Sequence, residues 1–465
     1  MTPGCPPRAG CCLLALIGAL VSPRAAQGGD GGLTLEQAIG LSLAGPKILA
    51  GREAVNQVRA EARSAALLPN PSLSFEAGLL PLSRRYTVEA PGGPAELAAG
   101  ISYPIDWLVF RKRAAAMASA EAAVGVAEAE HADLVRRRTA ETAQAFYGVL
   151  EAEALLELAR QTVRTLEQAE AAIRKAAALG GRPQVELSRV RLELQGARRE
   201  ERSARSAVVA AKAALAALLG GARAGRGLEV AGTLDVPLTA RPLPVEAAFA
   251  LAGENRPDIL ALRRKGAKAR RDVALERRNA LPETKLGFGV TRQFQRAIGA
   301  PDVTAWGASL EITLPIFNRN QGGRAKAAAA AVQSGHELAA ALAELRAEVE
   351  QAVQALGTAL ENAKGIAEAD LGLAVQVRDS FRKAYEAGGR SLLEMLDAQR
   401  SYRETYRAYI TSRADYCRSL FRYHATLAVA GPPGRTAPAL QPGLGLARSS
   451  REQAPGRSSR RKPSP

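Results

Sequence analysis

The side chains that most often bind metals or carry out catalysis are few and widely separated in this sequence of 465 residues. His131, His336 and His424 stand alone, and Met117 is far from Met395. A metal site needs several such ligands at close spacing, and the sequence contains no cluster of this kind. It also contains no phosphate-binding loop, nucleophile elbow or HExxH motif. We therefore predict that the protein is not an enzyme and binds no metal or other cofactor.

Charged and hydroxyl side chains at alternating positions form a second group with possible chemistry. They fall in four short segments, about 70–79, 96–104, 284–294 and 303–314, where apolar residues occupy every second position. A period of two is typical of a β-strand with two unlike faces. Segments of about ten residues with this pattern also carry the weak signature of membrane-spanning strands. A half-buried strand of a soluble sheet alternates in the same way.

If the strands cross a membrane, their two faces have different surroundings. One face would contact lipid, and the other would line a lumen, where hydration explains charged side chains and cation selectivity is an alternative role. The predicted lipid-facing residues are Leu73, Phe75, Ile101, Tyr103, Phe288 and Trp306. The predicted lumen residues are Glu76, Lys285, Thr291 and Glu311.

The chain that positions these strands repeats itself at a shift of about 211 residues. Four landmarks occur twice and in the same order: 33–49 and 243–260, 67–75 and 280–288, 101–113 and 312–324, and 179–193 and 387–401. We therefore predict two internal structural repeats, at 33–240 and 241–430.

Long helical segments lie between the landmarks. Residues 112–178 contain no proline and show heptad-like spacing of apolar residues, so they predict one helix about 100 Å long. The second repeat has a matching helix at 322–387. Shorter helices are predicted at 34–66, 184–220, 245–279 and 391–429. Two short helices end to end match one long helix, which indicates an elongated column of coiled-coil hairpins.

The number of strands requires the chain to oligomerise. Four strands cannot close a barrel, and a sheet in lipid can leave no edge open. Two copies would give eight strands and a filled interior, whereas three copies would give twelve strands and room for a pore. The strands alone leave both possibilities open, and the long column favours a conduit and hence three copies.

Two Gly-rich turns reverse the long helices at the end of the column farthest from the strands. Glycine accepts the positive φ that a tight reversal needs, and an exposed hairpin end is where a coaxial partner would dock. The predicted docking residues are Leu179, Gly180, Gly181, Arg182, Gly388, Gly389, Arg390, Ser391 and Leu392.

Polar side chains near the second turn are candidates for a gate. A closed ring of helices needs hydrogen bonds or ion pairs between protomers that can be broken. The candidates are Tyr385, Glu386, Arg390, Glu394 and Asp397. Solvation of a helix surface also explains the same charges, and for any single residue it is the simpler explanation.

The net charge of +17 does not indicate binding to nucleic acid. Most basic residues are spread among glutamates along helices, without an aromatic-interleaved stripe. Residues 431–465 form a basic tail that we expect to be disordered. Residues 1–27 combine a basic start, an apolar run and small residues, as in a signal peptide. That segment holds three of the four cysteines, so only Cys417 remains afterwards and no internal disulfide can form.

The ordered landmarks resemble the TolC-like outer-membrane efflux protein family over residues 33–430. The resemblance rests on the segments LTLEQAIGLSLAGPKILAGREAV, LLPNPSLSF, ALPETKLGF, ISYPIDW, ITLPIFNRNQGG and AYEAGGRSLLEMLDAQRSY. The forms LPNPSLSF and LPIFNRNQGGR look most like the branch that serves heavy-metal and cation efflux. This chain differs from the lipid-anchored members of the family, because its predicted mature part does not begin with a cysteine.

The resemblance implies an α+β membrane protein in the outer membrane of a Gram-negative bacterium. It implies a homotrimer whose twelve strands, four per protomer, form one barrel that continues into an α-helical periplasmic tunnel. Such a channel is a passive exit duct for metal cations or small toxic compounds. A periplasmic adaptor would contact the hairpin ends, and a proton-driven pump of the resistance-nodulation-division type in the inner membrane would supply the energy.

Two alternatives remain at this stage. One is the outer-membrane duct of a one-component protein secretion system. The other belongs to a different class, a periplasmic coiled-coil adaptor without a pore.

Overall fold

The computed structural model describes residues 32–80, 87–90, 93–179, 181, 183–221 and 227–429. The predicted signal peptide and the predicted basic tail lie outside these residues. Within them the chain is mostly helical and forms one four-stranded sheet.

The two halves of the chain place their elements in the same order. The first half contains α1 (Leu35–Leu43), α2 (Pro46–Ala66), β1 (Ser72–Gly78), β2 (Ala95–Pro104), the short α3 (Asp106–Val109), α4 (Lys112–Ala178) and α5 (Gln184–Leu218). The second half contains α6 (Val245–Asn255), α7 (Pro257–Asn279), β3 (Glu283–Phe294), β4 (Val303–Thr313), α8 (Gln321–Gly365), α9 (Leu371–Glu386) and α10 (Leu392–Leu427). All four strands begin and end within two residues of the ranges that the alternation predicts.

Two helices that the sequence predicts as continuous, 34–66 and 245–279, are each divided near their start. Pro46 and Pro257 open the second part of each pair, at a position where the missing backbone N–H is not needed. The residues before them are extended, with ψ of 161° and 124°, because proline disfavours the helical conformation in its predecessor. The prediction of single helices was therefore wrong at both places.

The long helix predicted at 322–387 is also interrupted. A five-residue π-helical turn, Ile366–Asp370, separates α8 from α9, whereas α4 continues unbroken for 67 residues. Gly365 and Gly372 flank this turn, and glycine weakens a regular helix by its backbone freedom. The two long elements therefore differ although they occupy matching places in the two halves.

The sheet is antiparallel throughout, in the order β1-β2-β3-β4. Leu73 lies opposite Ile101, Ile101 opposite Phe288, and Phe288 opposite Ala308. Because side chains alternate with a period of two, this register gathers the apolar residues of all four strands on one face. β1 and β4 are the edges, and neither pairs with a further strand of the described chain.

The helices pack side by side into a column below the sheet. α4 is central and packs against α2, α5, α7 and α10, while α8 packs against α7 and α10. In the described parts of the chain, no helix combines the length and the apolar composition needed to cross a membrane.

Two clusters of buried apolar side chains hold the column together. The larger one, the mid-column core, includes Phe146, Val149, Leu215, Leu345 and Tyr416, from helices α4, α5, α8 and α10. The smaller one, the hairpin core, lies near the ends of the long helices. It consists of Val163, Leu166, Ile173, Leu187, Val190, Leu194, Ala197, Tyr385, Leu392, Met395 and Leu396.

Candidate functional site

The first hairpin end joins α4 to α5. α4 ends at Ala178, and Gly181 donates its backbone N–H to the carbonyl of Ala176 at 2.9 Å, which closes the reversal. Pro183 is then the N-cap residue of α5. Leu179 projects into solvent with 80% of its surface exposed. Gly180 and Arg182, also predicted to dock, lie outside the described residues.

The second hairpin end joins α9 to α10 and is more tightly bonded. Gly388 has a φ of +79°, the conformation for which the sequence predicts glycine, and the N–H of Gly389 donates to the carbonyl of Ala384 at 2.9 Å. Ser391 caps α10 by accepting from the N–H of Glu394, and Glu394 accepts from the N–H of Ser391 at 2.9 Å. This reciprocal capping box fixes the start of α10.

Arg390 completes the second end. Its guanidinium donates to the Glu394 carboxylate at 2.7 Å and lies 5.5 Å from the centre of the Phe381 ring. The backbone N–H of Ser391, followed by the Arg390 guanidinium and the Ser391 hydroxyl, lowers the pKa of Glu394. Arg390 and Ser391 both remain exposed, so this end presents a bonded but accessible surface.

Leu392 does not belong to that surface. Only 3% of the residue is exposed, because it points inward among the side chains of the hairpin core. The sequence places it beside the turn, but the helical direction of the first turn of α10 buries it. Its predicted role in docking is therefore corrected: Leu392 supports the hairpin end from inside.

Tyr385 links the two hairpins of one protomer. Its ring is buried in the hairpin core, and its hydroxyl donates to the Glu186 carboxylate on α5 at 3.3 Å. Sequence reasoning missed Glu186, because nothing in the sequence connects residues in two different halves. Of the other gate candidates, Glu386 and Asp397 are exposed. The Glu394 carboxylate is already hydrogen-bonded within the capping box at the start of α10.

The polar face of the sheet brings the predicted lumen residues together. Glu76, Lys285, Thr291 and Glu311 all lie on the face opposite to the apolar one. Lys285 and Glu311 are cross-strand neighbours, and the ammonium donates to the carboxylate at 3.3 Å. Glu96 shares this face and accepts from the Gln293 amide at 3.4 Å. The alternation in the strand at 96–104 was the signal that could have identified Glu96.

The other face carries the predicted lipid-facing residues. Register places Leu73, Phe75, Ile101, Tyr103, Phe288 and Trp306 on it. Their large side chains are mostly exposed, and no element of the described chain covers them. An apolar surface of this size needs another apolar phase or another protein against it.

Possible metal ligands are scattered in the described part of the fold. Among the described residues, no three side chains of His, Cys, Asp or Glu come close enough to hold a metal ion. Burial raises the pKa of the Cys417 thiol to about 11, which makes it a poor ligand or nucleophile at neutral pH. Burial also lowers the pKa of His424.

Comparison with known proteins gives a consistent result. A family model described as outer membrane efflux protein matches residues 42–221 and 249–422, so it covers both halves of the chain. The cobalt-zinc-cadmium resistance protein CzcC of Cupriavidus metallidurans is 26% identical over 382 residues, which is 82% of this chain and 86% of that protein.

Two solved structures share the fold. The outer membrane protein VceC of Vibrio cholerae has a TM-score of 0.68 at 20% identity, and the match covers 85% of this chain and 96% of that one. The outer membrane channel MtrE of Neisseria gonorrhoeae, in its open state, has a TM-score of 0.69 at 18% identity, with coverages of 86% and 90%. At these identities the likeness establishes the fold alone.

Proposed function

Because this chain belongs to the outer membrane efflux protein family, we propose that it is the outer-membrane channel of a tripartite efflux system. It is a passive exit duct rather than an enzyme. The sheet lies in the outer membrane, and the helical column reaches into the periplasm.

The observation that carries this proposal is an open four-stranded sheet with one apolar and one polar face. The unpaired backbone groups of β1 and β4 cannot stay open in lipid. Joining β1 of one protomer to β4 of the next satisfies them, and three copies close a twelve-stranded barrel. Its outer surface is then formed by the face of Phe75, Ile101 and Trp306, and its lumen by the face of Glu76 and Glu311.

The hairpin ends are the docking surface for the next component. Leu179, Gly388, Gly389, Arg390 and Ser391 are exposed at the far end of the column. This position suits a periplasmic adaptor that links the duct to an inner-membrane pump of the proton-driven resistance-nodulation-division type. Because the turns are fixed by their own hydrogen bonds, they offer a preformed surface.

The same end provides the elements of a gate. The Tyr385–Glu186 hydrogen bond holds the two hairpins of one protomer together, so each protomer moves its hairpins as a pair. Glu386 and Asp397 are exposed beside it and can contact a neighbouring protomer. Ion pairs on such surfaces are weak, at about 0–1 kcal/mol each, which suits contacts that must open.

Metal cations are the substrate class that we propose. The support is the likeness to a cobalt-zinc-cadmium resistance protein over most of both chains. Passage does not need a resident metal site in the wall, since the pump selects the substrate before it reaches the duct.

The trimeric barrel is tested by electrophoresis of detergent-extracted protein with and without heating. We expect a band at the mass of three chains without heating and a single-chain band after it. A single-chain band under both conditions, together with release into the aqueous fraction, would show that the barrel proposal is wrong.

The substrate class needs a separate test. The test uses a strain that lacks the outer-membrane component of a cobalt-zinc-cadmium efflux system. This strain is supplied with the present chain together with the adaptor and pump that accompany the chain in its own organism. We expect growth to be restored on zinc, cobalt or cadmium salts. Restored tolerance to organic toxicants alone would reject metal cations while leaving the channel in place.

A further inference from the structure

Basic and apolar side chains are concentrated where the helical column meets the sheet. We call this region the collar, and it comprises residues 61–68, 105–113, 276–283 and 314–326. It contains nine basic and four acidic residues. Its exposed apolar side chains are Leu67, Leu68, Leu108, Val109, Leu314, Ile316 and Phe317. The collar therefore combines an excess of positive charge with apolar surface.

Some of the collar cations have structural roles. Arg113 donates from Nε and Nη2 to the carbonyl of Ala66, at 3.0 and 2.5 Å, and so caps the end of α2. Lys112 pairs with Asp106 at 2.9 Å. These contacts bind the two ends of the first strand pair to the column, and they account for these two cations without any ligand.

Arg277 and Arg324 are different. Together with Val273, Gln321, Ala325 and Ala328, they line a groove of about 350 Å³ between α7 and α8. Both are exposed, and neither guanidinium forms an ion pair with a carboxylate of the described residues. Two neighbouring positive charges without an internal partner indicate a site for a negatively charged group.

The groove adjoins the apolar surface that continues into the sheet. Gln321, in its lining, donates from Nε2 to the carbonyl of Phe317 at 3.0 Å. Phe317 is 91% exposed, the largest value among the exposed apolar residues of the collar. Arg277 lies in the last turn of α7, shortly before β3 begins at Glu283. The groove is therefore at the column end of the β3–β4 pair.

We propose that this groove binds the phosphate headgroup of an anionic phospholipid in the leaflet nearest the helical column. Arginine suits this ligand because its planar guanidinium donates two parallel hydrogen bonds to phosphate oxygens. The acyl chains then lie along the apolar face of β3 and β4, with Phe317 at the boundary between lipid and water. A free phosphate would not need this apolar surface, which is why a lipid is the better fit. Three copies give three such sites around the barrel.

This inference rests on the proposed barrel and can be tested without assuming its substrate. The purified full-length oligomer is titrated in detergent with phosphatidylglycerol or with phosphatidylcholine of the same acyl chains, and bound lipid is counted by native mass spectrometry. We expect the wild type to prefer phosphatidylglycerol. The double variant Arg277→Gln/Arg324→Gln should weaken its binding roughly tenfold, since two charge-assisted contacts are lost. Binding of phosphatidylcholine should change little.

A matched control changes two exposed arginines far from the collar, Arg199→Gln/Arg202→Gln, with the same loss of charge. This variant should keep the wild-type preference, which separates a local site from a general effect of net charge. Glycerol phosphate added as competitor should not displace the lipid at equal concentration, and displacement would assign the groove to a free anion instead.

The inference is overturned if the trimer forms but shows no preference for phosphatidylglycerol, or if Arg277→Gln/Arg324→Gln retains that preference. Failure to form a trimer at all would count against the proposed channel rather than against the groove. Phe317→Ser gives a second measurement. This variant should weaken the binding of both lipids to a similar extent and leave the preference for phosphatidylglycerol unchanged, because it removes apolar contact without removing charge.

Discussion

The mid-column core and the hairpin core share helices α4, α5 and α10 but are built from different kinds of contact. In the mid-column core, Phe146 and Tyr147 meet edge to face with ring centres 5.8 Å apart, and Tyr147 lies 5.6 Å from Phe421. The hydroxyl of Tyr416 donates to the carbonyl of Pro237 at 3.0 Å, and that of Tyr423 accepts from the N–H of Leu243 at 2.9 Å. These bonds tie the segment between the two halves onto α10.

A buried charge network adds to the mid-column region. Asp133 has only 2% of its side chain exposed and accepts from Arg136 and Arg137. Arg256, also buried, pairs with Asp258 and Glu348. The hairpin core instead contains mostly aliphatic side chains together with Tyr385, whose hydroxyl donates to Glu186 of the other hairpin.

The difference indicates how rigidity is distributed along the column. Aromatic packing and satisfied buried charges in the middle favour one fixed arrangement. Aliphatic contacts at the hairpin ends are less directional, so the ends can rearrange at lower cost. A duct that must open at its far end while remaining closed to lipid at the other would need this distribution.

The largest expected effect comes from removing a large side chain from the mid-column core. The matching change in the hairpin core provides the comparison. Phe146→Ala should reduce the free energy of unfolding by about 4 kcal/mol and lower the melting temperature of the whole protein. Leu392→Ala should act locally and raise hydrogen exchange around 385–400 with little change in melting. Circular dichroism melts and exchange mass spectrometry measure the two effects. Equal losses of melting temperature would mean that the two cores unfold as one unit.

The second prediction concerns the buried carboxylate of the mid-column region. Asp133→Ala leaves Arg136 without its main partner and should destabilise the protein by about 3 kcal/mol. Glu157→Ala is the matched control, because Glu157 pairs with Arg164 at 2.7 Å on an exposed surface. That control should cost less than about 1 kcal/mol. If both variants have the same melting temperature, the buried network contributes no more stability to the middle of the column than an exposed ion pair does.

A smaller effect is expected at the hairpin end. Ser391→Ala removes the side-chain cap of α10 and should cost about 1 kcal/mol, expressed as faster exchange in its first turn. Thr34→Ala removes the equivalent capping box of α1, near the mid-column core. We expect the Ser391 variant alone to increase channel conductance in planar bilayers. An identical increase from Thr34→Ala would show that the hairpin end is not the mobile part.

The smallest effect is a dependence on pH. Burial lowers the pKa of His424 in the fold, so the neutral form is favoured there. Its contribution to stability is complete above the unfolded pKa near 6.5 and is lost as pH falls below that value. His424→Gln should therefore reduce the loss of melting temperature between about pH 7 and pH 5. An unchanged slope would mean that other groups govern the acid sensitivity.

Much of the fold could be predicted because local patterns are strong in this chain. A period of two located the four strands, and Gly388 marked a turn that does require positive φ. The divisions before Pro46 and Pro257 could also have been predicted from the sequence, because proline disfavours the helical conformation in the residue before it. The π-helical turn at Ile366–Asp370 carries no such signal, since its residues are ordinary helix formers apart from the neighbouring glycines.

The candidate sites were predicted less completely. Alternation placed Lys285 and Glu311 on one face, but their direct bond depends on the register between β3 and β4. Leu392 was assigned to the surface from its position beside a turn, although the direction of its side chain buries it. Proximity to a turn in sequence does not determine exposure, because each residue of a helical turn points to a different side.

The sequence by itself determined the two faces of the sheet, the hairpin reversals and the matching order of elements in the two halves. Each follows from local periodicity or from the backbone freedom of single residues. Only the tertiary structure decided which distant residues meet. It brought Tyr385 to Glu186 and placed Arg277 beside Arg324 in one groove, because helix packing, unlike periodicity, is set by how whole faces fit against each other.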